Sequence, residues 1–544
     1  MRRWSWHRRA LAFGAGGAVA VATVLSAGVP SLAAAAGSRA QARAATPVLS
    51  ARRLPDFLLR VLATERVRAS IGAAWTPTTL GAAASTSCLQ VAAGDQVIDQ
   101  ENVSTPLLPA SNMKLLTASA ALDKLGPDYR FTTEVKASQA PAGGTVAGSL
   151  YLVGGGDPLL RTPGYAAGLP FPEPTYTSLV QLAARVRAAG VRRVLGSVIG
   201  DESRFDQQRG ISTWKPAYEA EGDVGPLSAL QVNDGFERIV PPPPPPTTLP
   251  QPPTTTTTTT LPGVTTTTAP GGPPPSTSPP TTRPPTTRPP TTRPGAPDGA
   301  PPPSIQVPAP QPAIQAAQVF AGLLAADGVE VAGGQSNGVA PPAAPEITSI
   351  DSAPLNQVVG VILRSSDDTG TELLTKELGH RFGGAGTTAA GLSVIKADLA
   401  ADGLPMTGFA AVDGSGLDRS DRVTCALLAA DLARSGPSSV LATALPVAGR
   451  SGTLEHRLTQ PPAAGRVEAK TGSLDGVSAL SGFIPAPASP PSPNLASALT
   501  FAVVVNGLAT EASGERLIDL VASALARFPD VPERSAILPA PPVG

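Results

Sequence analysis

A tract rich in proline and threonine, between Val240 and Pro310, limits where this chain can fold. It holds 27 of the chain's 62 prolines together with 20 threonines, and includes the unbroken runs Pro241–Pro246 and Thr254–Thr260. This composition offers almost no apolar surface to bury, so the tract is predicted to be disordered and solvated. It is either a spacer or glycosylated stalk, or an insertion tolerated in a surface loop, because long insertions add little loop-closure entropy. Compact structure must therefore come from the sequence on either side.

The remaining sequence is apolar enough to form cores, since 42% of the chain is hydrophobic. Without the tract and the N-terminus, about 430 residues remain, which is room for two or three domains. Basic and acidic residues number 41 each, and this balance argues against non-specific binding of nucleic acid. Two cysteines and three histidines exclude a zinc-finger array, an iron–sulfur protein and a disulfide-rich scaffold.

The N-terminus carries an export signal. Its positively charged residues are Arg2, Arg3, Arg8 and Arg9. The uncharged stretch 10–36 follows and ends in alanines, so residues 1–36 are predicted to be a cleaved signal peptide, with an uncleaved membrane anchor as the alternative. The paired arginines are also compatible with a twin-arginine signal. In either case the protein is expected to act outside the cytoplasm, where Cys88 and Cys425 could pair; the sequence leaves their pairing open, because it does not give their distance.

Apolar periodicity predicts helices near both ends of the chain and strands between them. The predicted helices are 54–66, 111–125, 365–379 and 511–528. The predicted strands are 87–97, which includes a Gly-Asp turn, 148–153, 194–200, 467–471, 478–484 and 499–505. This order favours an α+β fold with a mostly antiparallel sheet flanked by helices over a doubly wound parallel sheet.

Three short motifs carry candidate chemistry, although each alone has an ordinary structural explanation. Ser111-Asn112-Met113-Lys114 places Ser111 and Lys114 on one helix face, where the helix dipole stabilises negative charge near the serine; alternatively Ser111 only caps the helix. Ser365-Ser366-Asp367-Asp368 opens the next helix, as a capping sequence also would. Lys470-Thr471-Gly472-Ser473 is a strand with a glycine that allows close ligand approach, or simply a strand that ends in a turn.

Taken together, these motifs follow the order Ser-x-x-Lys, Ser-x-Asn and Lys-Thr-Gly of the penicillin-recognising serine enzymes, with aspartate in place of the asparagine. The chain resembles the class C low-molecular-mass penicillin-binding proteins, which are D-alanyl-D-alanine carboxypeptidases and endopeptidases. The stretches that carry the resemblance are Pro109–Thr133, Gly148–Leu160, Gly225–Gly235, Arg364–Gly379, Asp413–Thr424, SGTLEHRL and EAKTGSLDGVSALSGF. The family splits its transpeptidase-like domain around a large strand-rich insertion, and the long gap between Lys114 and Ser366 fits such an insertion.

The resemblance implies a boundary for each part of the chain. In order, we expect a signal peptide or membrane anchor at 1–36, the first part of the transpeptidase-like domain at 50–135, an inserted strand-rich region at 136–239, a disordered Pro/Thr-rich linker at 240–310, the second part of the inserted region at 311–350, the second part of the transpeptidase-like domain at 351–530, and a C-terminal tail at 531–544.

The resemblance also implies a role for each motif residue. Ser111 would attack the carbonyl between the terminal D-alanines of a peptidoglycan stem peptide, Lys114 would take its proton, and Ser366 would relay a proton to the leaving amine. Lys470 and Thr471 would hold the substrate carboxylate, while the backbone N–H groups of Ser111 and Ser473 would form the oxyanion hole. Asp368 and Gly472 would also line the binding site. No metal or organic cofactor is required, β-lactams would be inhibitors, and the oligomeric state is not determined by the sequence.

Asp368 departs from the family pattern, which has asparagine at this position. A carboxylate only accepts hydrogen bonds and favours the protonated form of Lys114. We therefore expect a slower enzyme, or one whose activity rises at higher pH.

Three alternative functions remain. A catalytically weak wall-binding homologue is favoured only by Asp368, and a β-lactamase is disfavoured by the large insertion. A Ser-His-Asp hydrolase is disfavoured because Gly334–Gly338, its one G-x-S-x-G match, is followed by paired prolines where a helix is needed.

Overall fold

The computed structural model describes residues 54–239 and 305–537. The predicted signal peptide or anchor at 1–36 lies outside the described residues, as do positions 240–304 of the predicted linker and the end of the tail. Within the described ranges, every helix is too short or too polar to cross a membrane.

The described residues form three successive groups of elements. Residues 54–131 contain α1 (Leu54–Ala74), α2 (Pro77–Leu80), β1 (Ser87–Ala93), β2 (Gln96–Glu101) and α3 (Met113–Leu125). Residues 132–351 contain β3 (Thr132–Ala137), β4 (Thr145–Val146), β5 (Leu150–Val153), β6 (Leu160–Arg161), α4 (Pro163–Ala166), β7 (Thr177–Ser178), α5 (Leu179–Ala188), β8 (Arg193–Val194), β9 (Val198–Asp201), α6 (Ala217–Glu221), β10 (Phe236–Ile239), β11 (Ile305–Pro308), α7 (Pro312–Ala326), β12 (Glu330–Val331), β13 (Gln335–Asn337) and β14 (Glu346–Asp351). The remainder contains α8 (Leu355–Ser365), α9 (Asp368–Phe382), α10 (Thr388–Ala401), α11 (Cys425–Ser435), α12 (Val440–Thr443), β15 (Glu468–Leu474), β16 (Val477–Ile484), β17 (Leu499–Asn506) and α13 (Glu511–Leu525).

The first and last groups share one antiparallel sheet, so the two ends of the chain build a single layered unit. The strand order is β15-β16-β17-β1-β2, and β17 pairs along its length with β1 on one side and β16 on the other. Its central residues 501–505 are all apolar because both faces of the strand are covered. Phe501 and Val503 pack with α1 and α13, whereas Ala502 and Val504 pack with the helices around α3. This arrangement confirms the predicted antiparallel sheet flanked by helices.

A second five-stranded sheet forms from residues 132–351, with strand order β13-β9-β5-β3-β14. It is mixed, because β5 and β9 run parallel while β3 pairs antiparallel with both β5 and β14. The helices α5 and α7 pack on it around Leu182 and Phe320. This strand-rich unit lies in sequence between α3 and α8, as the predicted insertion requires.

A disulfide joins the sheet to the helical layer. Cys88 in β1 bonds to Cys425, the first residue of α11, with their Cα atoms 5.9 Å apart. Both residues are fully buried. The bond therefore links the first and the last of these three groups of elements inside the core.

Three expectations need correction. The predicted linker 240–310 ends too late, because residues 305–308 form β11, which pairs antiparallel with β10. The predicted strand 194–200 is two strands in different sheets, interrupted at Gly196, where a Cβ would lie 2.7 Å from the backbone of Gly148. The predicted helix 365–379 is broken after Ser365, because Ser366 adopts a left-handed backbone conformation with φ of +59°.

Candidate active site

Ser111 lies in a short 3-10 turn, Ala110–Asn112, that leads directly into α3. Ala110 has φ of +48°, a left-handed conformation that costs a non-glycine residue about 1–2 kcal/mol. Ala110 is fully buried, so the packing around it holds the turn in this shape. The strained turn fixes Ser111 at the start of the helix, with its side chain at a cavity.

Lys114 follows Ser111 by one helical turn and is completely buried. Its Nζ donates to Ser111 Oγ at 2.9 Å, to Asp368 Oδ1 at 2.5 Å and to the backbone carbonyl of Ser415 at 2.8 Å. Burial and three partners exclude the ordinary interpretation of this residue as a surface lysine. The amine is instead held within reach of the serine proton.

The second motif occupies the junction between α8 and α9. Asp367 caps α9, because its Oδ1 accepts from the backbone N–H of Gly370 at 2.7 Å. The capping interpretation of this sequence therefore holds for Asp367. The residues on either side of Asp367 contact the two lysines. Ser366 Oγ accepts a hydrogen bond from Lys470, and the Asp368 carboxylate accepts one from Lys114.

The third motif lies on β15, the edge strand beside Ser111. Lys470 is completely buried, and its Nζ donates to Ser366 Oγ and to the Thr471 carbonyl, each at 2.8 Å. The Thr471 hydroxyl bonds to that of Thr453. A Cβ on Gly472 would lie 3.2 Å from the backbone nitrogen of Ser111, so glycine allows the strand to approach the serine turn closely.

Two buried lysines and the carboxylate of Asp368, which is 13% exposed, lie together in this site. Burial raises the pKa of Asp368 to about 6, against the opposing effect of the Lys114 charge. Burial, together with the charge of Lys114, lowers the pKa of Lys470 well below its usual value. An incoming carboxylate would favour the charged form of Lys470, which suits this lysine to an anionic substrate group.

These side chains open onto a cavity of about 540 Å³. Ser111, Ser366, Thr471 and Ser473 line one side of it. Residues from the strand-rich region line the other side, namely Arg161, Tyr165, Leu169, Pro170, Phe171, Gly222, Asp223, Asp234 and Phe236. A ligand at Ser111 would therefore contact both parts of the fold.

The structure brings every proposed motif residue except Gly472 to this cavity or to the hydrogen-bond chain beside it, and Gly472 lies against the serine turn. Sequence reasoning did not name the residues that hold them, among them Ser415, whose carbonyl accepts from Lys114, and Glu372. Glu372 Oε1 accepts from the backbone N–H groups of Gly414 and Ser415 at 2.9 and 2.7 Å, and so fixes the loop whose carbonyl receives Lys114. Burial and the neighbouring Asp413 raise the pKa of Glu372 to about 8. The Asp-Gly-Ser-Gly sequence of this loop was the available signal.

Comparison with known proteins places this geometry in a family context. The sequence profile of the D-Ala-D-Ala carboxypeptidase 3 (S13) family matches residues 67–527. The D-alanyl-D-alanine carboxypeptidase of Actinomadura sp. (strain R39) is 31% identical over 448 residues, which cover 79% of each protein.

Solved structures share the fold. Penicillin binding protein 4 from Haemophilus influenzae superposes with a TM-score of 0.61 at 19% identity, covering 84% of this chain and 98% of that one. Its complex with a β-lactam gives a TM-score of 0.55 at 19% identity, covering 81% and 95%.

Proposed function

The chain belongs to the D-Ala-D-Ala carboxypeptidase 3 (S13) family and is a serine-type, penicillin-sensitive hydrolase, and on that premise we propose that Ser111 is its nucleophile. As an enzyme of the cell wall, it acts outside the cytoplasm. The observation that carries the assignment of Ser111 is its hydrogen bond to Nζ of Lys114, a lysine without solvent access.

The reaction begins when Ser111 Oγ attacks the carbonyl between the two terminal D-alanines while Lys114 accepts the hydroxyl proton. The backbone N–H groups of Ser111 and Ser473 stabilise the developing oxyanion. Gly472 supports this role, because it lets β15 approach the serine turn.

The leaving amine receives a proton through Ser366, which is joined by a hydrogen bond to Lys470. The terminal carboxylate of the substrate binds at Lys470 and Thr471, where the charge of the lysine matches it. Water then hydrolyses the acyl-enzyme and releases the shortened peptide. In acylation, Lys114 and Ser366 carry the proton transfers, so this step invokes no metal or organic cofactor.

The test is digestion of purified peptidoglycan by the wild-type enzyme and by Ser111→Ala. Release of D-alanine identifies carboxypeptidase activity, and loss of cross-linked fragments identifies endopeptidase activity. Ser111→Ala should abolish both products and also the adduct with a fluorescent penicillin. If the wild-type protein forms no Ser111-dependent adduct, the chain is the weak wall-binding homologue that Asp368 favours. Rapid turnover of the penicillin would instead identify a β-lactamase.

The N-terminus is proposed to be a cleaved signal peptide, with retention as a membrane anchor the alternative. Sequencing the N-terminus of the exported protein distinguishes the two, because cleavage near residue 36 removes the apolar stretch.

A further inference from the structure

The second motif is held by a charged contact from the strand-rich region. We propose that Arg161 is a positioning residue for Ser366 and Asp368 and acts through Asp367, the residue between them. This inference rests on the roles proposed above for Ser366 and Asp368.

Arg161 ends β6, and its side chain is only 3% exposed. Its Nη2 donates to Asp367 Oδ2 at 2.9 Å and to both carboxylate oxygens of Asp234 at 3.0 and 3.1 Å. One guanidinium therefore joins a carboxylate of the motif to a carboxylate of the strand-rich region. Arginine suits this position because its planar fork can bind two acceptors at once.

The strand-rich region holds Asp234 in a constrained loop. Asn233 and Asp234 both adopt left-handed conformations, with φ of +58° and +56°. The side chain of Asn233 accepts from the backbone N–H of Thr162 at 2.8 Å, and Tyr165 Oη donates to Asp234 Oδ2 at 3.0 Å. Two consecutive strained residues persist only where the surroundings fix them. The carboxylate that anchors Arg161 is thus itself rigidly placed.

At the motif, Asp367 uses its two oxygens for different purposes. Oδ1 caps α9 at Gly370 and Oδ2 receives Arg161. The cap fixes the helix start, whereas the arginine fixes the rotation of the side chain and of the backbone on either side. Ser366, in its left-handed conformation, and Asp368 are the immediate neighbours. Without Arg161, Asp234 and Asp367 lose the cation that they share, and both neighbouring side chains lose their alignment with the lysines.

A simpler explanation is that Arg161 only fastens the strand-rich region to α9. Arg204 provides the matched comparison, because it comes from the same region and binds the other end of the same helix. Its Nε and Nη2 donate to Glu377 at 2.8 and 2.6 Å, and Glu377 is fully buried. A fastening role predicts that both arginines matter equally for acylation. A positioning role predicts that Arg161 matters and Arg204 does not.

The experiment measures acylation of the full-length protein by a fluorescent penicillin, with the maximal rate separated from the half-saturating concentration. Arg161→Met should lower the maximal rate roughly 10- to 100-fold, the range expected for a displaced catalytic group, and change half-saturation by less than about threefold. Arg161→Lys should give an intermediate rate, because it keeps the charge but not the fork. Arg204→Met should acylate within about twofold of wild type, although the Tm of both methionine variants should fall.

A wild-type maximal rate in Arg161→Met, or equal slowing in Arg204→Met, would overturn the inference while leaving the proposed function standing. If Arg161→Met does not fold, Asp367→Asn replaces it, because the asparagine oxygen can still cap Gly370. Asp367→Asn should also lower the maximal rate, and a wild-type rate there would refute the positioning role. If the wild-type protein forms no Ser111-dependent adduct, the proposed function and this inference both fail.

Discussion

Replacing Asp368 by asparagine should shift the pH dependence of acylation. The Asp368 carboxylate lies 2.5 Å from Nζ of Lys114, and the two side chains are 13% and 0% exposed. Above pH about 6, where Asp368 is ionised, its charge favours the ammonium form of the lysine, which cannot accept the Ser111 proton. Asparagine keeps an oxygen that can accept the same hydrogen bond but removes the charge.

The size of the effect follows from this geometry. An opposite charge within about 4–6 Å typically shifts a titration by about 1–3 units. We therefore expect the pH of half-maximal acylation to fall in Asp368→Asn, with a reaction that is roughly tenfold or more faster on the acid side of the profile. The half-maximal pH should fall and not rise, because removing the negative charge of Asp368 favours the neutral amine of Lys114.

The assay is the acylation rate with a fluorescent penicillin from pH 6 to 9. The matched control is Glu515→Gln, which removes a carboxylate that borders the same cavity but pairs with Arg457 instead of a lysine of the site. This control should leave the half-maximal pH unchanged. Superimposable profiles for wild type and Asp368→Asn, or an equal shift in Glu515→Gln, would refute the reasoning.

Three further predictions concern groups around the site. Gly472→Ala places a Cβ 3.2 Å from the Ser111 nitrogen, and should slow acylation roughly tenfold or more by moving the strand away from the serine turn. Reducing the buried Cys88–Cys425 disulfide, which spans 337 residues of sequence, should lower the urea-derived free energy of unfolding by about 2–5 kcal/mol. The pKa of Glu372 rises from 4.5 unfolded to about 8 folded, so its protonated form is the stabilising one. The stability this group contributes is lost as pH rises from 4.5 to 8, and the Tm of Glu372→Gln relative to wild type should rise across that window.

Each of these predictions has a contradicting result. Unchanged acylation in Gly472→Ala would mean that the strand does not need to lie so close to the serine. An unchanged free energy of unfolding under reducing conditions, with thiol release verified, would remove the disulfide from the stability of the core. A Tm difference between Glu372→Gln and wild type that is the same at pH 5 and pH 8.5 would show that the buried carboxyl is ionised throughout.

Local sequence signals were sufficient to predict most strands of the antiparallel sheet β15-β16-β17-β1-β2. The Gly-Asp turn between β1 and β2 was recognisable because glycine tolerates the positive φ that Gly94 adopts, and the apolar run at 499–505 predicted the strand β17. The break at Gly196 was not predictable, because it depends on the backbone of Gly148, which is distant in sequence. Long-range backbone contacts of this kind leave no periodic signal.

In the candidate site, too, some residues have a local sequence signal and others are recognised only from long-range contacts. Ser111, Lys114 and Lys470 stand in motifs whose spacing carries the chemistry, and could therefore be named from the sequence. The Ser415 carbonyl could not, since any residue provides a backbone carbonyl. Arg161 follows a recognised stretch by one position, and only the folded chain brings it to Asp367. Groups that act by holding others in place depend on tertiary contacts and are hidden from motif analysis.

The ladder between β10 and β11 has a practical consequence. Ile239 pairs with Ile305, so the last residue of the first described range lies beside the first residue of the second. Because an antiparallel pair can be joined by a turn of about two residues, the two described ranges do not require the full length of the segment that connects them. This junction is a suitable place to splice in a reporter domain, or to shorten the chain for crystallisation, without redesigning the enzyme around it.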